Sequence, residues 1–167
     1  IGGIMMKQCL NALIEDPKTE IIVLVSKPPA KDVEDQILKI AANAGKPVVV
    51  CFIGGDAEKI KKAGLYAAVS LEDAAHKAVA LAKGEAVSDF EDFTMGLEKA
   101  EALAAEERAG MIQGQKYVRG LYTGGTICDE AMKLLIGSMG HIYSNIPLKA
   151  EDKLENARNG KSRENTF

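Results

Sequence analysis

Apolar positions along this chain alternate between helical and extended spacing. Residues 3 to 16 put Met6, Cys9, Leu10, Leu13 and Ile14 on one helical face, and Asp16-Pro17 ends the pattern. Ile21 to Val25 follow as five consecutive apolar residues, mostly β-branched, which predicts a strand buried on both faces. From Lys31 the helical period returns, with Val33, Ile37, Ile40, Ala41 and Ala44 on one side. Gly45 stops that helix and Pro47 lies just beyond it. "PVVVCFIGG" predicts a second buried strand closing on Gly54-Gly55, "DAEKIKKAG" a short helix, and Ala67 to Val69 a weaker strand. "SLED" at 70 to 73 has capping-box spacing, with Ser70 as N-cap and Asp73 reaching back. The helix it opens runs through Ala78 and Leu81 to Lys83-Gly84.

Buried strands alternating with helices imply a parallel sheet covered on both faces. The expectation for residues 1–84 is a three-layer α/β domain of flavodoxin-like or Rossmann-like type. An acidic linker and connecting helix, capped by Thr94 and running to about Ala109, occupy 85–110. A strand over 117–122, a Thr-Gly-Gly-Thr turn, a helix over 126–136 and a second strand in "HIYSNIPL" then read as a partial second α/β domain, 111–148. Residues 149–167 are densely charged without apolar period and read as a flexible tail. A two-stranded fragment cannot bury its own faces, so it is expected to lean on the first domain or on another subunit.

Composition narrows the function classes. Hydrophobic residues make up 47% and charged residues 27%, an ordinary globular balance, and the net charge is −3. No cluster of Lys and Arg is interleaved with aromatics, which argues against nucleic acid as a partner. No apolar run approaches the ~20 residues that cross a bilayer, which argues against a membrane span. The chain does not begin with Met, shows no signal-peptide pattern, and opens within an apparent glycine turn. It reads as an excerpt of a longer, cytoplasmic polypeptide. Cys9, Cys51 and Cys128 are far apart, lie in apolar segments, and read as small core residues. Neither His76 nor His141 pairs with a cysteine by spacing, and no metal-ligand spacing occurs.

The stretch with most chemical content is "YVRGLYTGGTICDEAMKLL", residues 117 to 135. Where a strand runs into a helix, the first helical N–H groups have no internal acceptors and converge with the positive end of the helix dipole. Gly124 and Gly125 would let an anion reach those amides without a Cβ in the way, and Thr126 would add a hydroxyl. The alternative is that the glycines only form a tight turn. The spacing fits neither the dinucleotide nor the Walker pattern. Lys27 and the Gly54-Gly55 turn also follow predicted strands, where open α/β sheets bind ligands, and are further candidates for holding phosphate.

"TGGTICDEA", 123 to 131, resembles the Ser-Gly-Thr-x-x-x-Glu-Ala loop-to-helix of the succinyl-CoA synthetase α subunit. "IGGIMMKQCL…EDPKTEIIVLVS…GKPVVVCFIGG", 1 to 55, resembles that subunit's C-terminal domain. "RGLYTGGT" with "KPVVVCFIGG" is similar to the FdrA group of acyl-CoA-synthetase-like proteins. The resemblance covers residues 1 to about 145. It implies a parent that activates or transfers an acyl group through phosphate chemistry, with CoA or an acyl phosphate as ligand, as a homo-oligomer or with a partner subunit. It also implies that Gly125 and Thr126 support a phosphate, with Gly124 in place of the Ser. The family's phosphohistidine does not carry over. No His follows "FIGG", and Lys27 stands where the family has the carboxylate that orients it. A carbamoyltransferase component in oxamate metabolism, and an assembly module without chemistry, are the alternatives.

Overall fold

The computed structural model describes residues 2–90, 95–156 and 164–167. The chain is a mixed α/β protein whose contacts separate into two units, Ile1–Phe90 and Glu91–Phe167. In the first unit helices and strands alternate as the periodicity predicts: α1 (Ile4–Glu15), β1 (Ile22–Ser26), α2 (Lys31–Ala42), β2 (Val48–Phe52), α3 (Ala57–Lys62), β3 (Tyr66–Ala67) and α4 (Leu71–Lys83). The strands are parallel in the order β1-β2-β3, with Ile22 opposite Val48, Ser26 opposite Phe52, and Val49 opposite Tyr66.

The central strand β2 is apolar throughout because both of its faces are covered. Val48, Val50 and Phe52 pack with Leu10, Ile37, Leu38 and Ile60 from α1, α2 and α3. The alternate residues Val49, Cys51 and Ile53 pack with Ala68 and Ala74, flanked by Leu71, Ala78 and Leu81. β1 departs from the expectation of burial on both faces. Ile22 and Leu24 are buried, but Val23 and Val25 on the other face are each 41% exposed. A run of β-branched residues marks a strand; it does not reveal how far the helix on the second face reaches. Here β1 lies at the sheet edge.

The start of α4 carries more than a cap. The Ser70 Oγ accepts the Asp73 N–H at 3.1 Å. The Asp73 carboxylate, however, is not tied to the Ser70 N–H as a capping box would require. It accepts from the N–H of Val69 at 3.0 Å and of Phe90 at 3.1 Å, and pairs with Lys77 at 2.8 Å. The Lys77 Nζ also donates to the Ala67 carbonyl at 2.6 Å and to Asp89 at 2.7 Å. Asp73 and Lys77 are both buried. They fasten residues 89–90 onto α4, which is why the unit runs to Phe90 and does not stop at Gly84. The His76 ring stacks on Phe90 at a centroid distance of 3.9 Å.

The second unit holds α5 (Leu97–Ala109), none of whose residues is buried, and α6 (Gly125–Met139), followed by a 3-10 turn, Ala150–Asp152. Thr94, the expected cap of α5, lies outside the described residues. The expected strands over 117–122 and in "HIYSNIPL" are replaced by single-residue bridges, all parallel. Arg119 and Tyr143 each pair with Thr166, and Ser144 pairs with Lys153. The Gly120 N–H donates to Thr166 O at 2.9 Å, the Thr166 N–H to Val118 O at 3.1 Å, and the Phe167 N–H to Tyr143 O at 2.8 Å.

The two expected strands therefore meet through a third segment, 164–167, that belonged to the supposed flexible tail. That reading of 149–167 is corrected for its described parts: Asp152, Leu154, Thr166 and Phe167 are buried. Phe167 packs with Cys128, Met132 and Ile142, giving the second unit a small core of its own. Isolated apolar residues at 154 and 167 carry no period, so only the pairing partners make them legible.

Candidate functional site

Gly124 forms the N-cap of α6 at φ −146° and ψ 137°, extended backbone open to any residue, and among the described residues no side chain caps this helix end. The Cys128 N–H reaches Gly124 O at 3.3 Å, so the amides of Gly125, Thr126 and Ile127 precede the first intrahelical bond. A Cβ on Gly124 would meet nothing within 4 Å, and one on Gly125 would touch Ile146 Cδ1 at 3.3 Å. Neither glycine is required by backbone conformation, and Gly124 is not required by packing either.

These two glycines line a cleft of about 630 Å³, within the range of small-molecule sites. Arg119 and Gly120 form one side of it, with Leu121, Tyr122 and Thr123 leading to the helix. Asn145, Ile146, Thr166 and Phe167 are among the residues opposite. A Cβ on Gly120 would come within 2.5 Å of the Tyr122 ring, which folds back over it, so a side chain there would displace the ring. The Tyr122 and Phe167 rings are tilted at 5.7 Å. Burial, and to a lesser degree Cys128, pushes the Tyr122 phenol above its ordinary value. Arg119 Nη1 donates to the carbonyls of Val118 and Glu164. Arg119 is the one cationic residue among the described residues lining the cleft.

The expected site residues separate into two groups. Gly124 and Gly125 are in the cleft. Thr126 is half-buried and outside the lining, where Thr123 stands instead. Lys27, Gly54 and Gly55 belong to the first unit, beyond the ends of β1 and β2. Lys27 is exposed. Gly54 has φ +76°, and the Gly55 N–H closes a turn on Phe52 O at 2.7 Å. A Cβ on Gly55 would lie 2.9 Å from that carbonyl, so this glycine pair has a conformational cause. The helix that follows, α3, already has a carboxylate at its start: Asp56 Oδ1 accepts the Lys59 N–H at 3.1 Å. Arg119, Gly120, Tyr122, Asn145, Thr166 and Phe167 were not identified as a group from sequence. Their only local signal was "RGLY" ahead of the glycines.

At the far end of α6, His141 Nδ1 lies 2.7 Å from Asp152 Oδ1, with Glu151 adjacent. No metal ligand was expected there, since the intervening spacing matches no metal signature.

The fold is thus of the α/β class, built on a small parallel sheet with helices on its faces. Among the described residues no helix is long and apolar enough to cross a membrane. No protein-family model matches the chain. It is 41% identical over 155 residues to the uncharacterized protein YahF of Escherichia coli (strain K12), an alignment covering 93% of this chain and 29% of YahF. The chain therefore spans less than a third of the length of that relative.

Proposed function

We propose that the chain is a segment of an FdrA-type, acyl-CoA-synthetase-like protein, and that the cleft at the start of α6 binds the phosphate of an acyl phosphate or of CoA. The observation that carries the binding site is the uncapped N-terminus of α6, floored by Gly124 and Gly125, opening on a cleft that also holds Arg119. Free amides, the helix dipole and a guanidinium are the elements that recognise phosphate. The three parallel strands correspond in this reading to part of a flavodoxin-like domain. The parent works as an oligomer or with a partner subunit, whose contact would cover surfaces such as α5 and Leu121. Lys27, Gly54 and Gly55 fall outside the proposed site, because Asp56 supplies the negative charge at that helix start.

A second reading, a carbamoyltransferase component, is favoured by one feature: the residues lining the cleft include no histidine. Direct transfer to or from carbamoyl phosphate needs an anion site and no phosphohistidine. The test is thermal unfolding of the chain with millimolar phosphate, carbamoyl phosphate or CoA. A ligand at 100 times its dissociation constant adds ~2.7 kcal/mol to the folded state. Stabilisation that disappears in Gly124→Val supports the anion site, and preference for carbamoyl phosphate over CoA selects the transferase. No shift with any of the three would leave an assembly module.

A further inference from the structure

Asp152 is 1% exposed, yet its Oδ2 has no hydrogen-bond partner among the described residues. Its other oxygen, Oδ1, meets His141 Nδ1 at 2.7 Å. A buried carboxylate with one satisfied oxygen is costly unless a cation completes its surroundings. Glu151 brings a second carboxylate to the same place. One ring nitrogen of His141 and one oxygen each from Glu151 and Asp152 lie within 4.8 Å of one another. Ligands held about 2.1 Å from one ion sit roughly 3.0–3.5 Å apart. The His141–Asp152 pair, hydrogen-bonded at 2.7 Å, has to open by a few tenths of an ångström to reach that separation, and the exposed Glu151 side chain has to move in to join it.

We propose that His141, Glu151 and Asp152 bind a divalent transition-metal ion of the Zn2+ type. An imidazole nitrogen with two carboxylates favours such an ion over Mg2+ or Ca2+, which prefer oxygen throughout. The site is held by backbone. The Asp152 N–H donates to Lys149 O at 3.0 Å, and the Ser144 N–H donates to Asp152 O at 3.1 Å. The His141 N–H donates to Met139 O at 2.9 Å. Position along α6 adds to the argument. His141 follows directly on the carbonyl end of this helix, where the dipole favours positive charge, while the proposed anion cleft is at the amide end. The helix has 15 residues, so the two ends are about 22 Å apart and the two sites are independent. Three protein ligands leave coordination positions open to water or to an anionic ligand.

The test titrates the full 167-residue chain, carrying Cys9→Ser to remove the exposed thiol, with Zn2+ against a chromophoric chelator. Cobalt absorption bands serve as a second readout. One ion per chain is expected, undisplaced by millimolar Mg2+. His141→Gln and Glu151→Gln should each weaken binding at least about tenfold, while His76→Gln leaves it unchanged. The side chains of His141 and Glu151 are exposed, so both variants should keep the parent circular dichroism. Absence of stoichiometric binding, equal binding by His141→Gln, or displacement of Zn2+ by Mg2+ would each overturn the proposal.

Discussion

Gly124 and Gly125 are neighbours in sequence and differ in what requires them. A side chain on Gly125 would press on Ile146, whereas one on Gly124 would enter open space with an acceptable backbone. Gly124→Val is therefore expected to cost no more than about 1 kcal/mol, the replacement of a favoured N-cap residue by a poor one. Its larger effect should fall on ligand-dependent stabilisation. A large loss of stability without ligand would mean that the glycine serves the fold. Lys77 presents the opposite case, a cation buried beside Asp73 and reaching Asp89. Burial works against its charge, but the hydrogen bonds to Asp73 and Asp89 hold its amine above the ordinary lysine value. Lys77→Met leaves the Asp73 carboxylate buried without its ion partner. It should destabilise the first unit by about 3–5 kcal/mol, read from its urea midpoint. Asp89 gives this cluster a pH dependence. Its hydrogen bond to Lys77, with the nearby Lys77 and Lys61 charges, holds its carboxyl below the ordinary 3.8. A depressed carboxyl stabilises fully above its unfolded value and less as pH falls towards its folded one. The first unit should thus lose stability as pH drops below about 4, and Asp89→Asn should flatten that part of the profile.

At the level of elements, the legible ones were those whose signal is local. β2 could be read from "VVVCF" because a continuous apolar run is the pattern of a strand covered on both sides. α4 was marked by Ser70, whose hydroxyl does cap the helix. The exposed face of β1 was not legible, since Val23 and Val25 look the same whether or not a helix covers them. Nor was the role of Asp73, which resembled a capping residue and instead binds Val69, Lys77 and Phe90. The last of these contacts lies 17 positions away, beyond the reach of a local motif. It also gives a test of where the first unit ends. A chain comprising residues 1–84 lacks both the Phe90 N–H and Asp89, leaving one Asp73 oxygen unsatisfied. It should be less stable than residues 1–90 by about 1–3 kcal/mol in urea unfolding. Equal stability would place residues 85–90 outside the folded unit.

Across the whole molecule, the two units differ in how far apart in sequence their defining contacts are. The first is built from consecutive strand–helix–strand steps, so its architecture could be read directly from alternating periods. The second depends on residues 164–167 lying beside both 118–120 and 143, with the Val118 N–H reaching Asn165 Oδ1 across 47 positions. That contact hid the candidate cleft from sequence. Arg119 and Tyr122 precede the glycines, but Thr166 and Phe167 come from a segment whose charge and lack of period suggested no structure. The candidate metal cluster was hidden in the same way, since the Ser144–Lys153 bridge brings His141 and Asp152 together. The same long-range pairing sets an order of events on the ribosome. At roughly 5–20 residues per second, the first unit is complete about 4–15 seconds before Thr166 is synthesised. Once made, the backbone of Val118 and then of Tyr143 awaits its partner, so mispairing in the nascent chain should arise in the second unit while the first is already closed.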